Sequence, residues 1–374
     1  MTNEEKINLF NRNKRIIEIV MKQIKEKCPD SIDMVALGGS FCNGDIYEKS
    51  DLDLVIISKD EKAKCLDKCF ILGDVAMDIY THDWTSFERM AEYPNPYVTK
   101  LLDLDIIYTH DESVLEHYQR LQAKLKENMN NDSLIRANIQ AHFNLVMSNL
   151  AKLNNIDNDL GLAYRLLGHL IKDIEFIIYM LNKAYIKRGT KRIPEEIISM
   201  EILPTDFKEL YLDIVNVKSV AEIKEKANKL GEVLKLFLNQ IGFVYEVIEE
   251  KEEKSEKKPI EAINLIGTYE EIYSNWKNKM LHAVTINSRY LSFDTMCSCQ
   301  GFYDEMADMF DVPKIDLISH YNPDDLMSNV TIFNACMQEW LKLYERFGFE
   351  VNYYPSLTEL EDLYGKSKND KTIV

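Results

Sequence analysis

Two periodicities alternate along the first third of the chain. Over residues 3–27 the apolar positions Ile7, Phe10, Ile16, Ile17, Val20 and Ile24 recur at helical spacing with charge between them, and Cys28-Pro29-Asp30 closes the run. This predicts an amphipathic helix. Strand-length apolar runs follow at 33–37, 54–57, around Asp78 in 74–80, and at 105–108. Short helices are expected over 60–70 and 85–91, the second broken by Tyr93-Pro94-Asn95-Pro96. Residues 115–126 read as a helix leaving the sheet, whose last strand is expected at 105–108.

From residue 133 the strand signal fades. Helices are predicted over 135–153, 161–188, 204–217 and 220–237, the content of a helical bundle. The mixed-charge run at 249–258 has no core face and reads as a linker or a solvated helix end. Helical spacing returns at 269–283, 298–309 and 331–347, with Pro313, Pro323 and Pro355 at the breaks, and 365–374 reads as a frayed end. The expected class is α+β. A small mixed-sheet domain over 1–128 is followed by a helical bundle over 129–250 and a helical domain over 259–374.

The stretch 36–57, ALGGSFCNGDIYEKSDLDLVII, does not fit a plain strand–turn–strand. Asp51 and Asp53 interrupt an otherwise buried run, and strand alternation puts both on one face while Leu52 and Leu54 point into the core. Two carboxylates about 7 Å apart on one strand face call for positive charge between them. Divalent cations supply it, and Mg²⁺ prefers one or two carboxylates plus phosphate oxygens. Gly38-Gly39-Ser40 offers backbone that a phosphate can approach, since no Cβ intervenes at the glycines.

Gly39-Ser40, about a dozen residues, then Asp51-Leu52-Asp53 flanked by apolar residues resembles the signature of the DNA polymerase beta-type nucleotidyltransferase superfamily. The resemblance covers roughly the first 120 residues. It implies two Mg²⁺ ions on Asp51 and Asp53, with Gly39 and Ser40 on the β- and γ-phosphates of a nucleoside triphosphate and Ser50 as a further hydroxyl. Attack then falls on the α-phosphorus and pyrophosphate leaves. A third family carboxylate matches Asp78, either as a metal ligand or as the base that takes the acceptor proton. Asp103-Leu104-Asp105 lacks the upstream Gly-Ser and reads as a strand start.

Outside that domain, Lys187, Arg188, Lys191 and Arg192 form a compact basic cluster. It serves either as a helix-end counter-charge or, through Lys191 or Arg192, as a contact to the triphosphate. Asp173 and Glu175 lie in an apolar helix, where a solvent-facing position and a cleft position are both open. His169 reads as an ordinary helix residue, His82 as a neighbour of the Asp78 strand, and 320–325 as a turn with an N-cap.

Composition narrows the partners. Formal net charge is −17, from 62 acidic against 45 basic residues, which argues against a broad nucleic-acid surface. Seven irregularly spaced cysteines read as free thiols in a reducing compartment. The amino terminus lacks a secretion signal, and no apolar run reaches membrane-spanning length, so a cytoplasmic location is expected.

The resemblance is nearest to the small-molecule, antibiotic-modifying branch. It implies transfer of a nucleoside monophosphate, AMP from ATP, to a hydroxyl of an aminoglycoside- or lincosamide-like compound. Two alternatives stand beside it. One is modification of a protein or a tRNA end by a toxin–antitoxin or regulatory enzyme, and the other is a non-catalytic nucleotide-binding module.

Overall fold

The computed structural model describes residues 1–246, 265–310 and 312–364. The charged run 249–258 and the end 365–374 lie outside them.

The amino-terminal helix is α1 (Asn3–Lys27), started by a Thr2 capping box in which Thr2 and Glu5 bond each other's backbone N–H. It covers one face of a six-stranded mixed sheet: β1 (Ile32–Leu37), β2 (Leu54–Ser58), β3 (Lys68–Leu72), β4 (Val75–His82), β5 (Asp105–Thr109) and β6 (Tyr353–Tyr354). The order is β5-β1-β2-β4-β3-β6. β2 runs parallel to β4 and β3 to β6, and the other pairs are antiparallel.

Both faces of the sheet are buried, and side chains divide between them with period two. Val35, Ile56, Phe70 and Ile79 join Ile16, Val20 and Ile24 of α1. Met34, Ala36, Val55, Ile57 and Ile71 face the opposite core, which continues into the helices without a break.

Two sequence expectations change here. Residues 60–70 are not one helix. A short 3₁₀ helix, Glu61–Leu66, leads into β3, and Gly73 at φ +62° closes a tight β3–β4 hairpin. The run Cys69–Leu72 is too short to separate strand from helix by periodicity, so pairing with β4 decides it. Nor is 105–108 the final strand, because β6 returns from near the carboxy terminus to pair with β3.

The helices continue as α2 (Gly39–Asn43), α3 (Trp84–Ala91), α4 (Thr99–Leu102), α5 (Glu112–Asn128), α6 (Asp132–Asn154) and α7 (Leu160–Leu181). The helix expected over 161–188 stops at Leu181. Asn182 turns its amide onto the Ile178 and Ile202 carbonyls, and Lys183 takes φ +49°. The chain then loops to α8 (Ile193–Ile198), α9 (Phe207–Asp213) and α10 (Val220–Gln240), and α10 packs on the α6–α7 hairpin.

The last segment holds α11 (Thr268–Ile272), a π-type turn over Tyr273–Lys277, α12 (Asn278–Thr285), α13 (Arg289–Met309), α14 (Leu326–Arg346) and α15 (Leu357–Leu363). It does not stand apart from the sheet. Tyr269, Phe293, Trp340 and Tyr344 share the core that holds Met34 and Val55, and α15 packs on α1. No described helix is long and apolar enough to cross a membrane.

Candidate active site

β1 delivers the chain to Gly38, whose N–H donates to the Asp53 carbonyl at 2.9 Å. That bond ties the Gly-Ser bend to the end of the acidic stretch. Gly39 then takes φ +64°, and a Cβ built on it would lie 1.7 Å from Asp53 Oδ2. The Asp53 carboxylate therefore occupies the space that a side chain at 39 would need. Ser40 follows, its hydroxyl buried and without a hydrogen-bond partner among the described residues.

Leu52 and Leu54 are buried, while Asp51 and Asp53 are partly exposed on the other side. The strand itself starts only at Leu54. Burial, then the charge of Asp53, push the Asp51 carboxyl up to about 7, with the ammonium of Lys279 pulling the other way. Parallel pairing of β2 and β4 matches Leu54 with Ile79, so Asp53 and Asp78, each one residue earlier, come side by side. Burial raises Asp78 above the usual carboxylate range, and the Cys69 thiol donates to its Oδ1.

Ser50 is buried and serves its own loop. Its hydroxyl accepts the Tyr47 N–H at 2.9 Å, and its carbonyl accepts from the Arg12 guanidinium at 2.6 Å. Arg12 also holds the Asn13 side chain, and burial lowers its pKa to about 10 against the charges of Asp51 and Asp74.

A cavity of about 270 Å³ is lined by Gly39, Ser40, Ser50, Asp51 and Asp53, whereas Asp78 is not among its lining residues. Most of its wall comes from residues 39–53, the loop 187–191 after α7, and residues 274–282, with Ala76, Thr99, Asp103 and Leu291 completing it. The basic cluster separates there. Lys191 lines the cavity, 3.2 Å from Asp45 Oδ2 and 5.1 Å from the Tyr47 ring centre. Arg192 is not among the lining residues. It grips both Asp45 oxygens at 3.0 and 3.1 Å and Glu195 at 2.7 Å. Asn43 donates to the Lys187 carbonyl at 3.1 Å, joining the bend to this loop.

The other candidates lie elsewhere. His82 packs against Phe87 and is held down to about 4 by burial. Asp173 pairs with His142 at 2.9 Å. Glu175 is buried and accepts from Tyr211 at 2.6 Å and Tyr290 at 2.5 Å. Burial raises it to about 8. Asp325 caps α14.

Arg12, Asp45, Asn278, Lys279 and His282 were not singled out from sequence. His282 stacks on Tyr47 with ring centres 4.3 Å apart. The only signal for α12 was a polar stripe on an amphipathic helix, which reads as a solvated face.

A family model described as a nucleotidyltransferase domain matches residues 17–144. The chain carries a nucleotidyltransferase domain. All three acids, the Gly-Ser bend and Ser50 fall inside the matched segment, whereas Lys191 and Lys279 fall outside it. Among solved structures, a nucleotidyltransferase-like protein from Exiguobacterium sibiricum is similar at 9% identity, over 59% of this chain and 76% of that one, with a TM-score of 0.35. Among curated proteins none matches. Among the described residues, no three His, Cys, Asp or Glu side chains are gathered as a ready-made metal cage.

Proposed function

We propose that the protein moves a nucleoside monophosphate, AMP from ATP, onto a hydroxyl of a small molecule. One observation carries this reading: the Asp53 carboxylate rests against the Gly39 backbone, in the same cavity as Asp51 and the unpartnered Ser40 hydroxyl.

The acids suit Mg²⁺. Burial, and after it the charge of Asp53, raises the pKa of Asp51, and a divalent cation relieves the repulsion between the two acids. Mg²⁺ takes one or two carboxylates with waters and phosphate oxygens, so a three-acid cage is not required. Asp51 and Asp53 would hold two such ions, and bound metal would neutralise charge on the transferring phosphoryl group.

The chain's own groups divide the remaining work. The Gly39 backbone and the Ser40 hydroxyl hold the β- and γ-phosphates. Lys191 approaches the same tail from the loop after α7, while Arg192 orients Asp45 rather than the nucleotide. The acceptor oxygen forms a bond to the α-phosphorus, the bond to the β-phosphate bridging oxygen breaks, and pyrophosphate leaves. Asp78 takes the acceptor proton. Burial holds its carboxyl above the usual carboxylate range, which suits a proton acceptor.

A tRNA end would need a free basic stripe. Here Arg188 is paired with Glu196 at 3.2 Å, and Lys191 and Arg192 share Asp45.

The test is pyrophosphate release from each of four nucleoside triphosphates with Mg²⁺, across an acceptor panel that includes aminoglycosides and lincosamides. Asp53→Asn is expected to lower release by about a hundredfold or more. Undiminished release in that variant would defeat the reading.

A further inference from the structure

The π-type turn over Tyr273–Lys277 sets which face α12 presents. One extra residue in a turn rotates everything after it by about 100° relative to an unbroken α-helix. The rotated helix is docked on the β3–β4 hairpin. Tyr273 Oη and Asn278 Nδ2 each donate to the Asp74 carbonyl at 3.4 Å. In that pose Asn275, Asn278, Lys279 and His282 line the cavity.

At the cleft Lys49 pairs with Asp74, Lys191 pairs with Asp45 and Lys187 lies over the Tyr185 ring, whereas Lys279 has none of these partners. It is half-buried, and among the described residues it forms no hydrogen bond or ion pair. Yet its charge acts on Asp51, Asp78 and Asp294 together. Lys191, on which the charge of Asp51 also acts, is instead committed to Asp45 beside Tyr47. A half-buried ammonium that lines the cavity and acts on three acids without pairing to any of them is poised for an anionic ligand that arrives with its own cations.

We propose that Lys279, carried by the carboxy-terminal segment, binds the reacting phosphoryl end of the metal-bound nucleoside triphosphate, so that the cleft of the nucleotidyltransferase domain is complete only with that segment in place. This rests on the nucleotidyl-transfer reading above. It divides the two lysines by position, with Lys191 at the triphosphate tail and Lys279 beside Asp78.

Charge gives the proposal a signature that loss of structure does not imitate. Removing the ammonium takes positive charge away from Asp51, so metal alone binds at least as tightly. Metal-bound triphosphate binds more weakly because its phosphoryl oxygens lose a charged donor.

The experiment is calorimetric titration of the full-length protein with Mn²⁺ alone, and with each of ATP, GTP, CTP and UTP in excess Mg²⁺. Wild type is compared with Lys279→Met, Lys279→Gln and Lys279→Arg. The expected result is about tenfold weaker triphosphate binding in the Met and Gln variants, Mn²⁺ affinity equal or higher, and recovery in Lys279→Arg. Triphosphate affinity unchanged in the neutral variants overturns the proposal while leaving the nucleotidyltransferase reading intact. Parallel loss of metal and triphosphate binding overturns it in favour of a structural role. Failure of the wild type to bind any of the four overturns both. If Lys279→Met does not fold, the Gln variant carries the same comparison.

Discussion

At the scale of single residues, Gly39 and Glu175 show opposite uses of restricted space. Gly39 has no room for a Cβ and sits at positive φ, so Gly39→Ala must displace the Asp53 carboxylate and strain the backbone. The expected outcome is about 1–2 kcal/mol of lost stability, read from urea unfolding, together with loss of pyrophosphate release. Glu175 is a buried carboxyl held by two tyrosine hydroxyls, with a folded pKa of about 8 against 4.5 in a free side chain. A raised acid pKa means that the folded state binds the extra proton. The stability it brings is therefore full below 4.5 and is lost as pH rises to about 8. Glu175→Gln stays neutral, so it should gain on the wild type across that interval by a few kcal/mol, in order of magnitude. Thermal midpoints recorded against pH check this, and a constant difference between the two proteins would refute it.

At the scale of elements, the acidic stretch is held from behind by a helix. Arg12 of α1 donates to the Ser50 carbonyl and fixes the turn that leads to Asp51. Arg12→Ala leaves that carbonyl without its donor and should cost about 1–3 kcal/mol, seen as a lower urea midpoint at unchanged slope. It should also weaken nucleotide binding through the loosened loop. The same helix was legible in sequence because its apolar spacing is long and regular. The 3₁₀ helix and β3 were not, because a four-residue apolar run carries no period of its own and takes its form from the neighbour it pairs with.

At the scale of the whole molecule, the carboxy-terminal segment returns to the sheet. β6 pairs with β3, and Tyr354 and Tyr364 each meet Phe70 edge-on at 5.7 Å. Arg15 of α1 bonds Glu361 of α15 at 2.6 Å and 2.8 Å on the exposed rim. Ending the chain after Glu350 would uncover Phe70 and the β3 edge. The midpoint of thermal unfolding is expected to fall by about 5 °C or more, with increased aggregation from the freed edge. An unchanged midpoint would mean that the returning strand contributes nothing to the sheet.

The sequence alone determined that a glycine-serine bend and two acids on alternate positions stand between buried runs. Such local patterns are set by backbone sterics and side-chain alternation, and they survive any tertiary context. Which charges face those acids was decided only in three dimensions. Lys279 lies more than two hundred residues from Asp51 along the chain, and its approach depends on a π-type turn and on docking at Asp74. Long-range packing of that kind leaves no periodic trace in a single sequence, whereas two acids on alternate positions directly ahead of a buried strand do.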